Sequence, residues 1–557
     1  MEINASNRYL GIYVLLTSVA VTLLIAPVNS IDPVSLPKLC LLIVLSFIAA
    51  GFAISQVNFF KERKNRTALV VIVVFIAQLC LVLIVDNRDF AYKFYGTFGR
   101  NTGFAAYLSL AFLLLASMVS ASKILLQRYI LAILACGTFL AIYGCAQFIG
   151  LDFSQYEIVY DSKVFGTFGN PNYQSAFMGI TAATALTLAV FSKIKKIFKG
   201  CLLILTLLAV FNISISSQQG YLNFVAGILT ATVMYFLKSR KPIFGWVTLT
   251  ASSFASVLIL LGILNIGPLA QIIYKSSLQA RGFYWRAALK MMRDHPFFGV
   301  GMDGFGDAYL RFRSSEIASI NSGITSDTAH SIPLDIGSNG GVILLIAYLS
   351  IISLVLRSIV RVSRRSPRFD VVFATVVAAW VAYQAQSLIS INQLGMGVWG
   401  WSLSGLIIGY DLNYSNQTTN VADKPAQSRK SKKGKVDALA VVLVFVTTSI
   451  SIGIALPPYI ASDKFYKALQ SGNPTLIQTA AYLKPNERMR YLYVAQALQE
   501  NGFESEAVRV LRDASRIYPD SIDLWRRWAG ISSASPTEIA HARAEIKRLD
   551  PFNPDLK

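Results

Sequence analysis

Charge is scarce in this chain. Asp, Glu, Lys and Arg supply 15% of its 557 residues against 54% hydrophobic ones, and the mean hydropathy is +0.51. Soluble domains carry about 25% charged residues. A chain so poor in charge cannot cover several globular surfaces, which excludes a soluble multidomain protein and predicts an all-α, polytopic membrane helix bundle. Cysteine is scarce too. Cys40, Cys80, Cys136, Cys145 and Cys201 lie in or beside apolar runs without C-x-x-C spacing, so neither a disulfide framework nor structural zinc is expected. No Asp-rich metal site is visible, and no cofactor is expected. Acidic residues number 30 against 51 Lys and Arg. The placement of the surplus decides between nucleic-acid binding and membrane topology, and it reads as topology, with no nucleic-acid partner.

What the chain has in quantity is apolar runs of about 20 residues, the length that crosses hydrocarbon as a helix. Thirteen are expected, near 9–26, 37–54, 68–85, 103–121, 129–149, 172–191, 200–215, 221–237, 243–264, 332–356, 370–389, 394–410 and 437–456. The first is kept as a span and not a signal peptide, because Pro27 after Ala26 makes a poor cleavage site. Lys61, Arg63, Lys64 and Arg66, then Lys193 to Lys199, then Lys238 to Lys241, Arg357 to Arg368 and Lys424 to Lys435 fall in alternate loops. Basic residues resist translocation, so the N-terminus is expected in the cytoplasm. Three regions then face outward: residues 150–171 with Asp152, Glu157 and Asp161, the loop 265–331, and everything after 456. The polar, basic stretch 411–436 reads as a disordered cytoplasmic linker.

The C-terminal part repeats itself. Tyr491, Val494, Ala495, Leu498, Ala507, Leu511, Ala514 and Pro519 fit the packing positions of a tetratricopeptide repeat, and Trp525 and Trp528 return to them one period of 34 residues later. Residues 462–557 are expected to form about three such units, a small array with a surface for a protein partner; an ordinary helical bundle is the alternative. The remaining expected divisions are a twelve-span body over 1–410, the linker 411–436 and a thirteenth membrane helix over 437–456.

Loop 265–331 is too long for a passive connection. Arg286, Lys290 and Arg293 share one helical face, with Trp285, Leu289 and Met292 opposite. That pattern predicts an interfacial helix with Trp285 at headgroup level and its cations toward membrane lipids, ended by Pro296. Gly299-Val300-Gly301-Met302-Asp303-Gly304 satisfies a dinucleotide fingerprint, yet no strand precedes it, so its glycines are read as turn formers. His330 is expected at the outer interface, where a nearby guanidinium would keep it neutral and able to act as a base; a surface or capping role is the alternative. His295 and His541 are read as structural. Two look-alike segments, Gly96-Thr97-Phe98-Gly99-Arg100-Asn101 and Gly166-Thr167-Phe168-Gly169-Asn170-Pro171-Asn172, each open a helix. Helix entries of this kind can hold a phosphate or sugar oxygen, which makes Asn170 and Asn172 substrate-side candidates; N-capping by Asn101 and Asn172 is the alternative.

GTFGNPN at 166–172, RGFYWRAALKMMRDHPFFGVG at 281–301 and AHSIPLDIGSNGG at 329–341 resemble, in order and placement, the O-antigen ligase and polymerase family of bacterial membrane glycosyltransferases. The likeness spans about residues 90–410. It implies a twelve-span body with a large outward loop, a C-terminal repeat array in many members, a polyprenyl-diphosphate-linked glycan as donor and a glycan, lipid or protein hydroxyl as acceptor. It further implies that Arg281 holds the diphosphate and His330 deprotonates the acceptor, without nucleotide or metal. Arg286 and Arg100 are secondary phosphate candidates, and Trp285 another substrate-side one. There is a departure: members often carry Ser-Arg-Gly between spans seven and eight, where this chain reads Ser217-Gln218-Gln219-Gly220. Gln219 can donate hydrogen bonds but brings no charge. The expected activity is metal-independent, inverting glycan transfer at the outer face of the plasma membrane. A glycan polymerase of the same family, a lipid-linked glycan transporter and an assembly scaffold are the alternatives.

Overall fold

A computed structural model describes residues 5–26, 31–153, 162–264, 266–268, 276–320, 322–418 and 438–554. Glu157, Asp161, part of loop 265–331 and residues 419–436 of the basic stretch 411–436, including Lys424 to Lys435, lie outside the described residues. The described residues contain helices and no strand.

A helix overlies each of the thirteen apolar runs. Ten are long and apolar enough to cross a membrane, and Asn7–Leu23 and Phe104–Ser120 are shorter apolar helices. The chain is a multi-pass membrane protein. Helix starts are marked locally: Asn170 accepts from the backbone N–H of Asn172, Ser122 from that of Leu125, and Asp370 from those of Val372 and Phe373. These caps satisfy amides that have no partner inside the helix.

Several expected boundaries shift. The helix that begins at Ile332 runs to Arg365, and the one that begins at Leu394 runs to Thr418, so the first residues of the expected linker are helical. The expected break between a span ending at 456 and repeats starting at 462 is absent. One helix, Ala438–Gln470, covers both despite Pro457 and Pro458.

Helices Phe104–Ser120 and Pro171–Phe191 are buried over most of their surface. Around them, Lys196–Ser216 and Pro242–Ile263 expose Ile204, Leu207, Phe254 and Val257. Apolar surface on this scale matches lipid contact, because acyl chains are its only compatible solvent. Helices Pro171–Phe191 and Gln219–Leu237 pack side by side. A Cβ on Gly179 would stand 2.3 Å from the Gly220 carbonyl oxygen, and one on Gly220 2.2 Å from that of Ser175. Small residues let these backbones touch.

The loop side chains are carried by turns. Gly341 breaks helix Ile332–Arg365 with φ +79°, and there the Pro296 carbonyl accepts from the Val342 amide at 2.7 Å. Gly299 and Gly301 also have positive φ, and the Val300 amide donates to the Ser338 carbonyl at 2.8 Å. These glycines form turns.

Beyond Gln470, helices Pro474–Ala481, Arg488–Glu500, Glu504–Ile517, Ile522–Ala529 and Pro536–Leu549 each pack against the next. Tyr491, Val494, Ala495, Leu498, Ala507, Leu511 and Ala514 are buried between them, and His541 packs edge-on against Trp525. Turns between these helices meet the loops of the membrane bundle. Asn486 donates to Asp89 at 3.0 Å, and Arg488 pairs with Asp307 at 2.5 Å. One repeat period later, Asp520 pairs with Arg311 at 3.4 Å. At the end of the stack, Arg313 pairs with Asp550 at 2.7 Å, both side chains 0% exposed.

Breaking a dry ion pair leaves a buried charge without its partner, at about 3–5 kcal/mol. Arg526, 3.6 Å from Asp550, compensates in part. Arg313→Met is therefore expected to lower stability by about 3 kcal/mol, and Arg313→Met with Asp550→Leu to recover most of it. Thermal unfolding in detergent measures both; equal melting of the single variant and the parent contradicts the expectation.

Candidate functional site

Three of the candidate residues, Arg100, Arg281 and His330, converge at one end of the bundle from segments far apart in sequence. His330 stands in the turn before helix Ile332–Arg365, with φ +50°. A left-handed residue other than glycine costs about 1 kcal/mol, and neighbouring side chains secure it. The His330 amide donates to Thr328 Oγ1 at 3.3 Å, and the Ala329 amide to Asp335 Oδ1 at 3.1 Å. The imidazole lies against the Tyr284 ring at 5.3 Å between centroids. Tyr284 is one turn of helix Ser276–Asp294 beyond Arg281, so this helix delivers both.

Arg100 comes from the turn before helix Phe104–Ser120 and pairs with Asp327. Burial alone would lower its proton affinity, but Asp327, with Tyr173, Asp303 and Asp335, holds it above the ordinary guanidinium value. Arg281 has no ion pair among the described residues. Its burial outweighs the help of Tyr173 and Tyr284 and pulls it below the ordinary value. His330 responds to both cations: burial first, then Arg100 and Arg281, push its pKa down from 6.5 to about 3, against Asp327. The imidazole is neutral near pH 7, so one of its two ring nitrogens carries no proton.

Asn170, Asn172 and Gln219 form a second polar group. Asn172 Oδ1 accepts from the Ser217 hydroxyl at 2.6 Å, and Gln219 Nε2 donates to Gln386 Oε1 at 2.5 Å. Gln219 Oε1 is buried with no hydrogen-bond partner among the described residues. Tyr173, next to Asn172 in the chain, links this group to the first, because it lies close enough to bear on the ionisation of both Arg100 and Arg281.

Other expectations need correction. Asn170, not Asn172, caps helix Pro171–Phe191. Asn101 is no cap either; Gly103 holds that position, and Asn101 sits at φ +55° with its side-chain oxygen buried and without a hydrogen-bond partner among the described residues. Trp285 is 6% exposed and packs against Ile263 and Ile389. Tertiary packing thus takes the ring expected at headgroup level, and Leu289 on the same face is 53% exposed. Arg286 points to the surface and donates to the Leu264 carbonyl at 3.3 Å, apart from the other guanidiniums. Asp152 accepts from the Tyr143 hydroxyl at 2.5 Å.

The look-alike segments are anchored differently. Thr167 donates through its hydroxyl to the Thr22 carbonyl at 2.7 Å, whereas Thr97 donates its amide to Asp303 Oδ2 at 2.6 Å. Asp303, Asp327, Tyr173 and Tyr284 were not evident from the sequence as site residues. Acidic and aromatic residues in loops carry no periodic signal, and only the tertiary fold shows which cations they face. Among the described residues, no group of three or more His, Cys, Asp or Glu is placed to hold a metal ion, and all five cysteines are free.

Fold and site together define a multi-pass membrane protein with Arg100, Arg281 and His330 gathered at one end of its helix bundle. Residues 172–349 match the family described as O-antigen ligase, a stretch that includes Arg281, His330 and Gln219. No curated protein matches the chain at a significant level.

The low proton affinity of His330 has a measurable sign. The unfolded chain takes up this proton near pH 6.5 and the folded chain only near 3, so acid removes stability progressively across that window. Carbethoxylation, which consumes neutral imidazole, is expected to proceed at His330 with a flat rate from about pH 7 to about pH 5. A rate that falls with a midpoint near 6.5 contradicts this.

Proposed function

We propose that the protein transfers a glycan from a polyprenyl-diphosphate carrier to an acceptor hydroxyl at the outer face of a bacterial plasma membrane. The observation that carries this reading is the convergence of Arg100, Arg281 and a neutral His330 at one bundle end, two of them inside the stretch similar to O-antigen ligases. The basic loops at the other helix ends support a cytoplasmic N-terminus and twelve spans plus a thirteenth, which leaves site and repeat array outside.

In this reading His330 accepts the proton of the acceptor O–H as that oxygen bonds to the anomeric carbon. The bond from that carbon to the diphosphate breaks, and its electron pair stays on the leaving diphosphate. Arg281 and Arg100 oppose the charge that develops there, where burial strengthens them. Attack opposite the leaving group inverts the anomeric centre. Gln219 lies beyond Tyr173 and offers a neutral amide where related sequences often carry arginine.

A base whose conjugate acid has a pKa of about 3 is weak. Two of the causes of that depression are the guanidiniums that would bind the diphosphate. A bound donor neutralises them and raises the proton affinity of the ring toward neutrality, so His330 becomes an effective base only with donor in place. Water is then poorly activated in the empty site.

The test is transfer from a lipid-linked donor by protein in detergent or nanodiscs. Arg281→Ala and His330→Ala are each expected to lower kcat/KM by about a hundredfold or more; unchanged rates in both end the assignment. The acid limb of kcat, which reports the donor complex, is expected at higher pH than that of kcat/KM, which reports the free protein. A wild-type protein that binds donor without ever releasing polyprenyl diphosphate favours the scaffold instead.

A further inference from the structure

Asp303 is buried, 3% exposed, and sits at φ +56° between two glycine-rich turns. Both its carboxylate oxygens accept from one distant segment. Oδ2 takes the Thr97 amide at 2.6 Å, and Oδ1 takes the Thr102 hydroxyl at 3.0 Å. Those two donors bracket Arg100. The segment between them is tied elsewhere only at its middle, where the Ser35 hydroxyl donates to the Gly99 carbonyl at 2.7 Å, Asp32 reaches Gly99 and Arg100 pairs with Asp327; Gly99 and Asn101 adopt positive φ, as does Gly96 just before it, and the Arg100 and Asn101 amides share one acceptor, the Thr97 carbonyl. A loop with three left-handed residues has high conformational freedom, so an external clamp removes many alternatives.

The clamp is itself fixed. The Met302 carbonyl accepts from Arg88 Nη2 at 2.7 Å, and the Phe305 amide donates to Asn339 Oδ1 at 2.9 Å. Space is closed as well, since a Cβ on Gly96 would stand 2.6 Å from Asp303 Oδ2. The two hydrogen bonds of the Asp303 carboxylate both lead to the turn that carries Arg100.

We propose that Asp303 is a positioning residue that holds the 97–102 turn so that Arg100 faces the diphosphate position. This rests on the reading of Arg100 as a diphosphate contact, but the clamp itself is measurable without it. Asp303 is also one of the groups, after Asp327, that hold the Arg100 guanidinium above its ordinary value, while burial pushes its own carboxyl up.

Two measurements on the full chain test the proposal. The first is amide hydrogen exchange by mass spectrometry. Asp303→Ala is expected to speed exchange over residues 96–102 about tenfold or more and to leave residues 166–170 unchanged. Unchanged exchange over 96–102, or equal acceleration at both look-alike segments, overturns the clamp whatever the activity proves to be. The second is a double-mutant cycle in the transfer assay. Asp303→Ala is expected to cost about tenfold in kcat/KM in the wild-type background and less than about twofold in the Arg100→Ala background. A purely structural role would give the same loss in both, and that result overturns the link to Arg100. Should Asp303→Ala fail to accumulate, Thr102→Val removes one of the two bonds and is read by the same two measurements, with a smaller effect of the same pattern. If Arg100→Ala itself leaves transfer intact, the diphosphate reading of Arg100 fails while the exchange result still decides the clamp.

Discussion

Hydrocarbon offers no partner to a peptide group, and the rest of this structure follows from that constraint. Each crossing segment must satisfy its own N–H and C=O groups as a helix, and ionisable side chains are costly within it. Lys38, in the first turn of its helix, obeys the rule by donating to the Val21 and Thr22 carbonyls at the end of the preceding helix, both at 2.8 Å. Polar chemistry is confined to the bundle ends, where helices start and stop and glycine turns aim side chains.

At the end that carries the candidate site, charges are unevenly balanced. Arg100 is matched by Asp327 and backed by Asp303, while Arg281 has no ion pair among the described residues. Burial magnifies that imbalance, and the imbalance sets His330. An anionic ligand would fit this arrangement better than a neutral one, because it would neutralise the cation the protein leaves unmatched and return basicity to the imidazole beside it. Binding and base strength would then be one electrostatic event.

The C-terminal helices bear on this end of the bundle through their turns. Asn486, Arg488, Asp520 and Asp550 recur near repeat positions and meet Asp89, Asp307, Arg311 and Arg313. The last three lie in or at the end of helix Phe305–Phe312, which begins two residues after Asp303. Helices packed one on the next bring several separate contacts to one short segment. The edge used here is not available to a partner, and partner binding would have to use another face of the stack.

The sequence by itself determined the helical class, the start of most apolar helices to within a few residues, and the buried positions of the C-terminal helices. Those features arise from local composition and periodicity, which hydrocarbon and helix geometry read directly. It also marked Arg281, His330 and Arg100 as worth finding together, through motifs and a family likeness. Tertiary structure alone decided that Trp285 is packed between Ile263 and Ile389, that Arg286 lies outside the charged group, and that Asp303 grips residues 97–102. It also joined the last apolar run to the helical stack in one helix. Such matters depend on which distant turns face one another, and no repeat or periodic pattern along the chain records that. A carboxylate finds its guanidinium across some two hundred residues only after the helices between them have packed.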